Sequence, residues 1–144
     1  MSWRSGLVVG FGGLVLACAA PDTEMSLRTK RSEAPFELKQ IAEQQAAIHA
    51  AESAYLGCSN EQEATGMLAS VDPKAQRSWP QTPCWQRLNP EAGQVRGVYW
   101  VDVPGDGQRY LAGALIDVDG DGVYARYELT DGGEPERLTP TDVY

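Results

Sequence analysis

The chain has 144 residues, of which 42% are hydrophobic and 22% are charged, and its formal net charge at pH 7 is −8. A nucleic-acid-binding surface needs clustered basic residues, so this acidic balance argues against a nucleic-acid partner. The length is sufficient for one domain with a modest core and too small for two domains of ordinary size.

The beginning of the chain has the layout of an export signal. Arg4 precedes an apolar run from Leu7 to Ala17, which is too short to cross about 30 Å of hydrocarbon as a helix. The run ends in Val15-Leu16-Ala17-Cys18, which resembles the lipobox of bacterial lipoproteins. The resemblance implies a signal peptide over residues 1–17 and a diacylglycerol on the sulfur of Cys18, whose acyl chains anchor the protein. The alternative is an ordinary cleaved signal in which Cys18 is incidental.

A lipidated protein of this kind is expected in the cell envelope. The lipoprotein interpretation places it on the outer membrane, facing either the periplasm or the cell surface, with the membrane as a partner through the lipid. Residues 18–31 lack a hydrophobic period, so we predict a tether there. Residues 32–144 are predicted to form the globular domain.

The three cysteines fit this interpretation. If Cys18 is lipidated, Cys58 and Cys84 are free to form one disulfide in an oxidising compartment. A metal pair and a reactive thiol are the alternatives. Two isolated cysteines in a chain with one histidine do not complete a zinc site without carboxylates, so the disulfide is the favoured prediction.

The hydrophobic pattern predicts a helix from Ser32 to Leu56. Ser32 is a candidate N-cap, Pro35 is tolerated in a first turn, and Gly57 is placed to end the helix. An apolar stripe follows one face of this helix, formed by Leu38, Ile41, Ile48 and Tyr55.

Between Cys58 and Ala92 the helical periodicity of hydrophobic residues is absent, and the segment is rich in prolines. We predict a long loop with a short helix from Glu61 to Leu68. A disulfide and the side chains of Trp79 and Trp85 would pack it against the domain.

In the rest of the chain, hydrophobic and polar residues alternate with a period of two, which is typical of strands. Three strands are predicted, separated by two short turns rich in Asp and Gly, and such turns connect antiparallel neighbours. The strands are Val95–Val103, Tyr110–Asp117 and Val123–Thr130. The predicted fold class is α+β, with a long N-terminal helix packed on a three- to four-stranded antiparallel meander.

The second turn has the spacing of a calcium-binding loop. Asp117, Asp119 and Asp121 alternate before Gly122, and Glu128 occupies the position of a bidentate closing ligand. Calcium prefers six to eight oxygen ligands. However, the flanking sequence alternates as a strand, which would carry Glu128 away from the turn. The open alternatives are a plain hairpin turn, a turn that binds Ca²⁺ through the three aspartates, and a helix-loop-helix calcium site.

The sequence offers no catalytic residues that we could assign. His49 is the only histidine and lies beside the apolar stripe of the predicted helix, as a surface or boundary residue would. No nucleophile-elbow or phosphate-loop pattern occurs, and no carboxylate spacing singles out an acid–base pair. A non-enzymatic protein without a cofactor is predicted, with a small periplasmic enzyme as an alternative.

Taken in order, four segments resemble the globular part of bacterial type IV pilin-like proteins. The first covers the predicted helix and includes Ala50-Ala-Glu-Ser-Ala-Tyr55; the others are Val95–Val101, Ile116–Val123 and Pro140–Tyr144. In pilins a long apolar helix precedes this part and serves as membrane anchor and filament core. Here a lipobox and a tether occupy that place.

The resemblance implies a pilin-like fold and a non-enzymatic role. We expect an adhesion, accessory or binding module at the cell envelope, with protein partners in the envelope or the pilus machinery. Because pilin-like domains sometimes bind calcium in their sheet loops, the alternative is a calcium-binding lipoprotein with a structural or sensing loop.

Overall fold

The computed structural model of the protein describes residues 24–144. The predicted signal peptide and Cys18 therefore lie outside the described residues. Helix α1 (Glu24–Arg31) and helix α2 (Glu33–Glu52) follow each other almost without interruption. Two short helices follow, α3 (Glu61–Leu68) and α4 (Pro83–Leu88).

The prediction of an irregular tether over residues 18–31 is wrong for residues 24–31, which form helix α1. Arg31 is buried and donates hydrogen bonds to the carbonyl oxygens of Thr141 (3.0 Å) and Val143. Its guanidinium also lies 4.6 Å from the ring centroid of Tyr144. The C-terminus thus holds this polar segment against the domain, a long-range effect that local periodicity does not reveal.

Ser32 occupies the predicted N-cap position of the long helix, but the predicted side-chain cap and the predicted C-terminal end are wrong. Ser32 has helical dihedral angles and makes no side-chain cap; its hydroxyl donates to the carbonyl of Thr29 at 2.6 Å. Helix α2 ends at Glu52, and Ser53, which follows it, has a φ of +59°. The buried side chain of Gln45 bonds both the N–H and the carbonyl of Leu56, so Leu56 and Gly57 lie beyond the helix.

The two short helices have clear N-terminal signals. Helix α3 has the predicted bounds, and Asn60 and Glu63 form a capping box at its start. Helix α4 was not predicted, although Thr82 caps it and Pro83 occupies a first-turn position, a combination that favours helix initiation.

The strands form two antiparallel sheets. The main sheet has four strands in the order β3 (Val98–Asp102), β4 (Leu111–Ile116), β5 (Ala125–Thr130) and β6 (Glu136–Arg137). A small sheet pairs β1 (Arg77–Ser78) with β2 (Gln94–Val95). The predicted α+β class is confirmed, and the predicted three- to four-stranded antiparallel meander has four strands. The first predicted strand is divided, however, because Val95 belongs to the small sheet.

The main sheet is covered on both faces. Helix α2 packs on β4 and β5 and buries Leu38, Ile41 and Ile48 of the predicted stripe in the main core. Helix α3 packs on β3, and Ala64 joins a second core on the opposite face with Val98, Trp100 and Leu115. The predicted packing of the long helix on the sheet therefore accounts for only one of the two cores. Among residues 24–144, the structure contains no helix with the length and apolar composition needed to cross a membrane.

Candidate functional site

The acidic turn between β4 and β5 is built around one buried aspartate. Asp117 is 2% exposed, and its carboxylate accepts the N–H groups of Gly120 at 2.7 Å and Gly122 at 2.9 Å. Both glycines have positive φ, +75° and +86°, a conformation that L side chains rarely adopt. The Asp-Gly repeat is therefore required by the turn itself, whether or not a ligand binds there.

The turn nevertheless brings three carboxylates together. Asp117, Asp119 and Asp121 each place one oxygen within 4.8 Å of the others. One oxygen of Asp119, Oδ1, is buried and has no hydrogen-bond partner. Burial raises the pKa of Asp119, and the carboxyl of Asp117 raises it further. Adjacent anionic oxygens of this kind are ligands that a hard cation such as Ca²⁺ prefers.

Glu128 does not belong to this group of carboxylates. It lies on β5 opposite Gly113, whereas the strand pairing nearest the turn is Ile116 with Ala125. Its carboxylate pairs with Arg126, which also pairs with Glu61. Because β-strands flank the turn on both sides, the predicted closing ligand and the helix-loop-helix alternative are wrong.

The aromatic residues have structural positions. Trp79, Trp85 and Trp100 are all buried, which confirms the packing predicted for Trp79 and Trp85. His49 is half-buried and stacks on Tyr55 with 4.3 Å between ring centroids, which places it at a boundary as expected.

Cys58 and Cys84 lie at disulfide distance, with 5.6 Å between their Cα atoms. The bridge joins the residue three positions before α3 to the first turn of α4. The predicted pairing is therefore confirmed by position, and the bridge fixes the spacing between these two helices.

An apolar cleft of about 250 Å³ lies between these two helices. One wall comes from α3 with Ala64 and Met67, and the other from the loop and α4 with Pro80 and Trp85. Its base is formed by Val95, Gly97, Val98 and Tyr99. Sequence reasoning missed this cleft, because its walls are far apart in the chain and only the tertiary structure brings them together.

The charged residues that border the cleft are engaged in holding the backbone. Arg77 donates to the carbonyl oxygens of Arg96 at 2.7 Å and of Gly97, and burial lowers its pKa. Glu63 serves the capping box of α3. The hydroxyl of Tyr99 donates to Glu33 at 3.1 Å. The polar groups around the cleft thus have structural partners and do not form an acid–base pair.

Glu33 accepts several of the hydrogen bonds that hold this part of the fold together. One of its oxygens accepts the N–H groups of Arg96 at 2.7 Å and Gly97 at 2.9 Å as well as the hydroxyl of Tyr99. The start of α2 is thereby tied to the segment that leads into β3. Glu37, one turn further along, accepts a bond from Asn89, and burial raises its pKa.

Comparison with protein families, curated proteins and solved structures found no match for this chain.

Proposed function

We propose that the protein is a lipid-anchored envelope protein whose pilin-like domain acts as a non-enzymatic adhesion, accessory or binding module. The observation that supports this most is the architecture: a long helix lies on a four-stranded antiparallel meander. That is the arrangement expected from the pilin resemblance. The lipobox that ends at Cys18 would supply the membrane attachment that a pilin obtains from its apolar helix.

The character of the cleft supports binding rather than catalysis. Its lining is mainly apolar, and Arg77, Glu63 and Tyr99 hold parts of the fold. Ligand sites are typically apolar cavities with a few polar groups, whereas an acid–base mechanism needs titratable groups that are free to reach a substrate. Among residues 24–144, no observation favours the alternative of a small periplasmic enzyme.

Fractionation of cells tests the anchoring. Cys18→Ser removes the thiol that would carry the diacylglycerol, and we expect the variant to leave the membrane fraction. Ala19→Ser makes a similarly small change one residue later and should leave the protein bound. Retention of the Cys18→Ser protein in the membrane would contradict the proposal.

The second candidate is calcium binding by the acidic turn. The specific observation is the buried, unpartnered Oδ1 of Asp119 beside the carboxylates of Asp117 and Asp121. A cation would supply the missing partner and compensate for the repulsion between adjacent carboxylates. The bound loop would then have a structural or sensing role on the same anchored domain.

Calcium is therefore expected to raise the melting temperature. Extracellular sites bind with Kd on the order of 0.1–1 mM, and 10 mM Ca²⁺ at a Kd of about 0.1 mM adds about 2.7 kcal/mol to the stability. Because its pKa is raised, Asp119 gains a proton earlier than usual as the pH falls, and the effect should weaken on acidification.

Asp119→Asn should abolish the rise, whereas Asp102→Asn, at the exposed end of β3, should retain it. Calorimetry that shows no shift in the wild-type protein at 10 mM calcium and pH 7.5 would leave the turn as a plain hairpin connection.

A further inference from the structure

The two most exposed large hydrophobic side chains among residues 24–144 lie on one face of the N-terminal helices. Met25 on α1 is 78% exposed, and Phe36 on α2 is 60% exposed. Phe36 follows Met25 by eleven residues, which is about three turns of an α-helix. Helical backbone hydrogen bonds continue across the junction, from Ser32 to Arg28 at 3.1 Å and from Phe36 to Ser32 at 3.2 Å. Both side chains therefore lie on the same face, which we call the outer face.

The polar side chains between them have their hydrogen bonds inside the helix. Thr29 and Ser32 are exposed on this stretch. The hydroxyl of Thr29 donates to the carbonyl of Met25 at 2.9 Å, and that of Ser32 donates to the carbonyl of Thr29 at 2.6 Å. Removing a hydroxyl from water is costly when it loses its hydrogen bond. Because these two keep theirs, the outer face can leave water at little polar cost.

The charge of this stretch differs from that of the whole chain. The chain has a net charge of −8, yet residues 24–39 contain four basic and three acidic side chains. Two of the acidic side chains, Glu33 and Glu37, are 12% and 8% exposed and do not contribute to the outer face. Arg28 and Lys39 are more than half exposed, as are their carboxylate partners. Such exposed pairs are weak, so anionic headgroups can compete for these cations.

The proposed lipid on Cys18 would bring the outer face close to a membrane. Glu24, the first residue of α1, follows Cys18 by six residues, and six residues span at most about 21 Å. The start of α1 is therefore confined near the bilayer surface. Tethering raises the effective concentration of the membrane at this face, so a weak contact is sufficient to orient the domain.

We infer that the outer face of α1 and the first turn of α2 lies on the membrane surface, with Met25 and Phe36 inserted among the lipid headgroups. Helices with apolar residues on one face and basic residues beside them bind in this way. The contact rests on the proposed lipid anchor and adds an orientation to it. Helix α3 and the apolar cleft, on the other side of the main sheet, would face away from the bilayer.

Phe36 distinguishes a helix that lies along the membrane from one that stands upright. An upright helix would place Phe36 about 16 Å further from the surface than Met25. Phe36→Trp introduces a fluorescent probe there, and Met67→Trp is the matched control at a residue that is 45% exposed on α3. Both positions are exposed, so neither substitution disturbs the core.

The mature protein is purified from membranes and reconstituted in vesicles of phosphatidylcholine and phosphatidylglycerol, with and without bromine on the acyl chains. Bromine quenches nearby tryptophan, and the wild-type protein supplies the background from its buried tryptophans. We expect bromolipid to remove most of the emission that Phe36→Trp adds and to leave that of Met67→Trp unchanged.

Flotation of the same vesicles separates this contact from the anchoring. Protein that floats with the vesicles while Phe36→Trp is not quenched, or while both variants are quenched equally, would overturn the contact and leave the anchor standing. Protein that does not float would overturn both.

Discussion

Replacing Gly113 by alanine is expected to lower the free energy of unfolding by about 3 kcal/mol, the upper range for overpacking a core. Gly113 lies directly opposite Trp100 in the pairing of β4 with β3. A Cβ atom at this position would lie 1.9 Å from Cζ2 of the Trp100 indole, and Trp100 is fully buried. The indole is enclosed by the second core and by the guanidinium of Arg126, 5.3 Å from its ring, so it has little space to move.

Urea denaturation of Gly113→Ala measures this effect, and Gly66→Ala is the matched control. Gly66 lies inside α3, and a Cβ atom there would meet nothing within 4 Å. The control should gain about 0.5–1 kcal/mol, because alanine is the better helix former. If Gly113→Ala were as stable as the wild type, the described packing of Trp100 against β4 would be wrong.

The second large effect is expected from the disulfide. Simultaneous replacement of Cys58 and Cys84 by serine should lower the free energy of unfolding by about 3 kcal/mol. A cross-link that closes a loop of this size removes conformational freedom from the unfolded chain, and the separation here is 26 residues. The loss should be greatest around α3 and α4, since the bridge joins the segments that carry them.

Dithiothreitol provides the control for this measurement. It should reduce the melting temperature of the wild-type protein to that of the double variant and leave the double variant unchanged. A reductant effect of equal size on both proteins would show that the bridge is not the source of the stability.

Local signals in the sequence were sufficient to predict much of the fold. Alternation after Val95 predicted the strands, and the Asp-Gly turns predicted their antiparallel order. Glu61–Leu68 was predicted with its observed bounds. Long-range contacts decided the remainder: Gln45 holds Leu56 outside α2, and Arg31 holds α1 against the C-terminus. Neither contact has a signature in local periodicity.

The candidate sites also differ in how far local sequence signals predict them. The three aspartates lie within one turn, so their spacing in sequence predicted their proximity in space. Glu128 also fits the spacing of a calcium-binding loop, but it lies away from the three aspartates. The extended geometry of β5 carries it along the strand, opposite Gly113. The apolar cleft joins residues from α3, α4, β2 and β3, and only the tertiary structure brings them together.

We propose that a lipid on Cys18 holds the domain at the envelope, and the mass of the membrane-extracted mature protein tests this proposal most directly. We predict a chain that begins at Cys18 and carries the additional mass of a diacylglycerol. A mature chain that begins elsewhere, or one that begins at Cys18 without added lipid, would contradict the claim.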